Sequence, residues 1–353
     1  MKERQGMNFR ELLNLNKQKD IYFFGTGGVF RTVLDRHSDI IKSMSVKGVF
    51  DNDSSKWGSK QNGIDVLNPQ KIECCKEDDI IIITSSFINE IQYQISKYNL
   101  PNVYSYNWLE GVGRMYDAQE IKQLDQVKQY LEDDKSKNVI DTIVENRRTG
   151  NGDFSNIYEE NQYFVDDIIS FNSNEVLIDG GAYIGDTMEI YLQKCDNQFK
   201  KIYAFEPDDN NYLKLKQIYQ SDNRIELIHA GLGRKHEELY FLSNGSSNTA
   251  GTVAQDGDYK VVIDSIDEKV KDEVSFIKMD IEGYELDALK GARNTILQYK
   301  PKLAICVYHK AEDLYEIPQY IRELVPEYKL YLRHHSKGIA ETVLYAVIEE
   351  DQL

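Results

Sequence analysis

Basic residues are scarce in this chain. Its 353 residues include 42 lysines and arginines against 59 aspartates and glutamates, a net charge of −17 at pH 7. Such an acidic chain has no general attraction for nucleic acid or for anionic membrane surfaces. Long apolar runs are missing as well. The run from Ile80 to Thr84, for example, is far too short to span a bilayer. The opening residues, MKERQGMNFRELLNLN, are polar and charged, unlike a secretory signal. Cysteine is limited to Cys74, Cys75, Cys195 and Cys306, without the spacing of a metal site. Adjacent Cys74 and Cys75 make a poor disulfide pair. A reduced, cytoplasmic protein is expected, with no metal ligand set apparent.

What is present is a repeated alternation of strands and helices. The length exceeds what one hydrophobic core usually serves, so more than one domain is expected. Asp20 to Phe24 is an apolar strand followed by the glycine turn Gly25 to Gly28 and a predicted helix over Val29–Ser43. Lys47 to Asp53 is a second strand ending in acids, and Ile80 to Ile83 is a buried one before an amphipathic helix. Residues 1–112 therefore read as a small Rossmann-like α/β domain. Residues 113–170 read as a charged helical connector, with a final helix over Tyr158–Ser170. Residues 171–353 read as a second Rossmann-like module. Its strands are expected at Val176–Ile178, Lys201–Phe205, Ile225–His229, Ser275–Met279 and Leu303–Tyr308. Tyr328–Arg333 and Thr342–Val347 have no long helix between them and predict an antiparallel terminal hairpin. The fold class is α/β, with a doubly wound sheet in the C-terminal module.

The two stretches that carry most chemistry are VLIDGGAYIGDT, from Val176 to Thr187, and YAFEPD, from Tyr203 to Asp208. A strand, a glycine turn, a helix and a second strand ending in an acid form half of a nucleotide site. The glycines are adjacent rather than spaced as G-x-G-x-x-G, and Asp179 stands at the turn. A diphosphate would be repelled there, whereas a sulfonium or ammonium group would be favoured. The turn therefore points to S-adenosylmethionine rather than a dinucleotide. The plainer alternative is that Asp and Gly only punctuate the strand. On the functional reading, Asp179, Gly181 and Gly185 frame the methionine end of the cofactor, and Gly180, Tyr183, Asp186 and Asp280 are further cofactor-binding candidates. Glu206 and Pro207 meet the ribose, and Ala230 and Gly231 admit the adenine.

Strand four runs into KMDIEGYELDALKGA, which places Asp280, Glu282 and Glu285 at the C-terminal edge of the sheet, where ligands of open α/β sheets bind. Glu285 reads equally well as an acid answering a helix dipole. Strand five, LAICVYHK, ends in His309. An imidazole there suits removal of a proton from an acceptor hydroxyl, provided that strands four and five are neighbours. His334 and His335 are adjacent on a strand, so one of them at most enters a site. In the first module Phe30 stands where a third glycine would be. A docking or dimerisation role is favoured there over nucleotide binding, with Asp51 and Asp53 as candidate ribose acids.

These stretches, together with FIKMDIEGYELDALKGA and VYHK, resemble the FkbM family of S-adenosylmethionine-dependent methyltransferases over about residues 155 to 350. The D-x-E-G-x-E segment is the most specific part. The resemblance implies O-methylation, commonly of sugars or polyketide-type products. An added N-terminal Rossmann-like module implies surface-polysaccharide synthesis. It carries Asp179, Gly181 and Glu206 over as cofactor residues, and Asp280, Glu282 and His309 as active-site residues. The expected function is methyl transfer from S-adenosylmethionine to a hydroxyl of a sugar or polysaccharide precursor. The expected partner is a small-molecule or glycan acceptor, with a homodimer possible. Two alternatives stand: a nicotinamide-dependent enzyme acting on a nucleotide-sugar, and a non-catalytic binding protein that retains the cofactor fold.

Overall fold

The structure, a computed structural model, describes residues 9–85, 87–106, 115–149, 151–243, 251–254 and 259–348. The chain divides into two compact units, residues 1–117 with 143–153 and residues 118–142 with 154–353. The stretch 113–170 is thus shared between them. Among the described residues no helix is long and apolar enough to cross a membrane.

In the first unit, β1 (Asp20–Phe24), β2 (Ser45–Phe50), β3 (Lys60–Gln61), β4 (Ile64–Leu67), β5 (Ile80–Ile83) and β6 (Val103–Ser105) form one sheet. Its order is β3-β4-β2-β1-β5-β6. All pairings except β3 with β4 are parallel. All four isoleucines of β5 are buried, as expected for a central parallel strand covered on both faces. The expected helix over Val29–Ser43 is two shorter ones, Gly28–Arg36 and Ser38–Ile41, broken at His37. His37 leaves the helical conformation and its ring meets the Tyr106 hydroxyl at 3.1 Å.

In the second unit, β7 (Val176–Gly180), β8 (Lys201–Phe205), β9 (Ile225–Ile228), β14 (Phe276–Met279), β15 (Lys302–Cys306), β16 (Lys329–His334) and β17 (Thr342–Val347) make the main sheet. Its order is β16-β17-β15-β14-β7-β8-β9. The first five strands in the chain are parallel, and the terminal pair is antiparallel, as the sequence predicts. The chain moves outward from β7 to β8 and β9, then returns to lay β14 on the other side of β7. That reversal opens a crevice at the C-terminal ends of β7 and β14.

Two features depart from the sequence reading. Residues 231–264 carry an additional sheet, built from β10 (Gly231–Leu232), β11 (Glu237–Ser243), β12 (Gly251–Ala254) and β13 (Tyr259–Asp264). Two of its strands, β10 and β12, have only two and four residues. The expected helix over Tyr158–Ser170 is absent, and the segment is a series of turns. Asn161 and Tyr163 take positive φ values of 63° and 66°, which no right-handed helix admits. The preceding charged stretch is helical as expected, in two pieces, Ala118–Lys128 and Asp134–Thr149.

Candidate active site

The crevice is built first by backbone. Gly181 has φ +73°, and a Cβ there would lie 1.9 Å from the carbonyl oxygen of Asp280. The ends of β7 and β14 therefore approach so closely that only glycine fits. Gly185, at φ +90°, sits just before the helix Asp186–Lys194, where a Cβ would strike the Tyr219 ring. Between them Tyr183 also takes a positive φ, 51°. The turn's amides are used internally. Gly181 and Ala182 donate to Phe205 O, at 3.1 and 3.0 Å, and Gly185 donates to Ala182 O. Tyr183 N donates to Glu206 Oε2 at 2.8 Å. These four amides are not available to cradle a diphosphate.

Asp179 is buried, and its Oδ1 lies 2.9 Å from Lys278 Nζ, which is equally buried. The lysine also donates to the carbonyls of Gly180 and Gly181, at 3.2 and 3.0 Å. Burial works against its charge, but Asp179 and Asp280 outweigh that and raise its pKa. The cation that Asp179 meets is thus one of the chain's own. Glu206, at the end of β8, accepts from Tyr183 N and from Asp208 N. Burial lifts its pKa to about 7, against the pull of those two amides. Asp208 caps the helix Asp209–Tyr219 by accepting from Asn210 N and Asn211 N. Pro207 is half-buried beside it, Ala230 is buried, and Asp186 is exposed at the start of its helix. Gly231 opens β10, where a Cβ would meet Ile263 at 2.8 Å, so its smallness also serves strand packing.

Across the crevice, β14 and β15 are neighbours, as His309 requires to join the site. Asp280 Oδ2 accepts from the Tyr163 hydroxyl at 2.7 Å, and Oδ1 from the Tyr308 hydroxyl at 3.2 Å. His309 Nε2 lies 3.3 Å from Asp280 Oδ1 and 3.7 Å from Glu282 Oε2, while Nδ1 lies 2.9 Å from Glu285 Oε1. The structure brings all four residues together. Burial of His309 disfavours its charge, but Glu285, Asp280 and Glu282 prevail and carry its pKa to about 10. Burial would also raise the Asp280 pKa, yet Lys278, His309 and the two tyrosine hydroxyls hold it below the usual range. Glu282, at a left-handed φ of 57°, is lifted by burial to about 7 despite the attraction of His309. Glu285 is fully buried and accepts from Ile281 N at 2.8 Å. A groove of about 950 Å³ borders Ile184, Asp186, Tyr219 and Asp222, but includes none of this carboxylate cluster.

Sequence reasoning missed Lys278, Tyr163, Tyr308 and Glu341. Lys278 had a signal: one lysine inside the otherwise apolar strand FIKM, on the face opposite Ile277 and Met279. Tyr308 stands next to His309, and tyrosine beside a candidate catalytic residue is a usable sign. Tyr163 and Glu341 come from distant turns. Gln162 donates both to the Tyr163 hydroxyl and to Glu341. Tyr163 N donates to the Tyr345 hydroxyl, whose other partner is His335 Nε2, and His335 Nδ1 donates to Glu159 O. His334 is closed off between the Thr342 hydroxyl and Gly338 O. Neither histidine of the pair is free to take a ligand. In the first unit Asp51 is similarly occupied, accepting from Thr26 N and the Thr26 hydroxyl. Asp53 caps a short 3-10 turn through Ser55 N.

A central β7, a crevice at the β7–β14 reversal and an antiparallel terminal pair define a class I methyltransferase-like fold. A solved structure described as methyltransferase FkbM from Methylobacillus flagellatus KT superposes with a TM-score of 0.76 at 23% identity, covering 97% of this chain and 94% of that one. Residues 179–328 match the family model of the methyltransferase FkbM domain, and this part of the chain is an FkbM methyltransferase domain. Residues 17–103 match a model described as C2185-like, N-terminal. A fibrillarin of Aeropyrum pernix, solved with natively bound S-adenosyl-L-methionine, aligns at a TM-score of 0.33 and 14% identity, over 51% of this chain and 70% of that one. An rRNA methylase of Streptococcus thermophilus gives 0.34 and 16%, over 50% and 89%. Likenesses that distant carry no weight. No curated protein matches the chain in sequence.

Proposed function

We propose that this methyltransferase moves a methyl group from S-adenosylmethionine to a hydroxyl of a sugar or polysaccharide precursor. The observation that carries the reading is the acid-rich crevice at the β7–β14 reversal, in which Asp280, Glu282 and His309 meet. The residues present fit the cofactor. The turn amides are spent on Phe205 and Glu206, which disfavours a diphosphate, and carboxylates on both sides favour a cationic ligand without phosphate. Gly180, Gly181 and Glu206 would hold it on the β7–β8 side, with Tyr183, Gly185 and Asp186 along the turn. Pro207, Ala230 and Gly231 follow toward β9. Bound there, it supplies an electrophilic methyl.

The chain's own work is then to position the acceptor and to take its proton. Asp280 is fixed by Tyr163 and Tyr308 and suits orientation of the hydroxyl. Glu282, with a pKa near neutrality, is the best-matched proton acceptor. His309, held as a cation by three carboxylates, keeps those acids together beside the acceptor. Calorimetry should show one S-adenosylmethionine bound per chain. Absence of binding by folded protein would overturn the reading. With radiolabelled methyl donor and a panel of glycan acceptors, Glu282→Gln should lower kcat by about 10²–10⁴-fold while cofactor affinity holds.

A further inference from the structure

We propose that Lys278 is a positioning residue for methyl transfer, a buried ammonium that fixes the cofactor turn on one side and Asp280 on the other. The proposal rests on the reading of S-adenosylmethionine as the methyl donor. In the sheet, Lys278 stands opposite Asp179 of β7 and Ala304 of β15, and Asp179 stands opposite Ala204 of β8. The row therefore carries one ion pair between two alanines, and all four residues are buried. The small alanines leave room for the long lysine on that face of the sheet.

Stability alone does not account for the pair. A buried ion pair can often be replaced by apolar residues at little or no cost, and the flanking Ile277, Met279, Leu303 and Ile305 are apolar and buried. The contacts of the lysine lie instead at the ligand edge. An ammonium has three N–H groups, and Lys278 Nζ faces three oxygens. They are the carbonyls of Gly180 and Gly181, at 3.2 and 3.0 Å, and Asp179 Oδ1 at 2.9 Å. Two successive peptide groups of the glycine turn are thereby held by one charge. Among the described residues neither oxygen of Asp179 makes an aligned hydrogen bond, so the attraction of Lys278 holds it there.

On the acceptor side, the same Nζ lies 5.1 Å from the centre of the Tyr163 ring, whose hydroxyl donates to Asp280 Oδ2. Its charge also helps to keep Asp280 ionised. Lys278 is sealed in the sheet, so it acts through other groups: the turn that borders the methyl donor and the carboxylate that orients the acceptor. In-line transfer depends on alignment, and a misplacement of about 1 Å on either side is costly.

The test uses the full chain and calorimetry with S-adenosylmethionine alone, without acceptor. Because Lys278→Met strands Asp179, the informative variant is Lys278→Met with Asp179→Asn, compared with Asp179→Asn alone. The double variant should bind about tenfold or more weakly, since the turn carbonyls have lost their donor. In the same double variant, carboxyl carbon resonances should show Asp280 titrating at higher pH than in wild type. Equal affinity in the two variants, or an unmoved Asp280, would make the lysine merely structural and overturn the proposal. If a variant does not fold, wild type still decides. The buried Lys278 ammonium should give a slowly exchanging Nζ–H resonance that shifts when S-adenosylmethionine binds, and an unshifted resonance overturns the proposal. Absence of binding by the folded wild type would instead overturn the methyl-donor reading, and this proposal with it.

Discussion

At the scale of single residues, the site depends on charges kept out of water. Lys278 and Asp179 are both nearly inaccessible and 2.9 Å apart. Removing one partner of such a pair strands the other charge, whereas removing both costs far less. Lys278→Met should therefore lower unfolding free energy by about 3–5 kcal/mol, and the double variant with Asp179→Asn should recover much of it. Urea denaturation of the two variants checks this; equal losses would mean that the pair is not coupled. Gly181 is the other single-residue constraint. Gly181→Ala meets both a left-handed φ and the Asp280 carbonyl, so a loss of about 2 kcal/mol or more is expected, together with weakened cofactor binding. Its necessity was visible in the sequence as a glycine; its cause, the approach of β14, was not.

At the scale of elements, the terminal hairpin holds the site from behind. The chain of hydrogen bonds from Glu159 through His335 and Tyr345 reaches Tyr163, whose hydroxyl fixes Asp280. His335→Phe should loosen Tyr163 and lower kcat without abolishing cofactor binding. An unchanged rate would show that the chain is only structural. The same hairpin supplies Arg333, buried and paired with Asp133 Oδ2 at 2.6 Å and Glu159 Oε2 at 2.9 Å. Strand and helix types were largely legible here, because apolar runs such as VLIDG and the isoleucines of β5 announce buried parallel strands. The failures have local causes. Residues 158–170 have an apolar pattern close to helical, yet Asn161 and Tyr163 turn the backbone left-handed to deliver Tyr163 to Asp280. The sheet of β10 to β13 lies between the third and fourth main-sheet strands, and two of its members, β10 and β12, have only two and four residues.

At the scale of the whole molecule, buried histidines link the fold to pH. His334 lies in the core, and burial pushes its pKa down to about 4, with only partial relief from Gly338 O. The unfolded chain, with a histidine pKa near 6.5, binds that proton first. The contribution of His334 is therefore complete above about pH 6.5 and is lost as pH falls toward 4, on the order of 3 kcal/mol. Unfolding free energies at pH 7 and pH 4.5 should differ accordingly, and His334→Gln should flatten that difference. An unaltered slope in the variant would assign the acid sensitivity elsewhere.

The sequence by itself determined the α/β class, the terminal antiparallel pair and the order of the main-sheet strands along the chain. Periodicity and turn residues are local, and they survive in one dimension. It also put Asp280, Glu282 and His309 at one edge of a parallel sheet, but that they meet depends on β14 and β15 being neighbours, which the tertiary structure decided. Only the tertiary structure decided what those residues meet. Lys278 occupies the charge of Asp179, Tyr163 and Tyr308 grip Asp280, Glu285 closes behind His309, and the histidine pair near the C-terminus is sealed in the core. Burial and charge pairing arise from contacts between distant segments, and it is those contacts that set each pKa and each orphaned atom in the crevice.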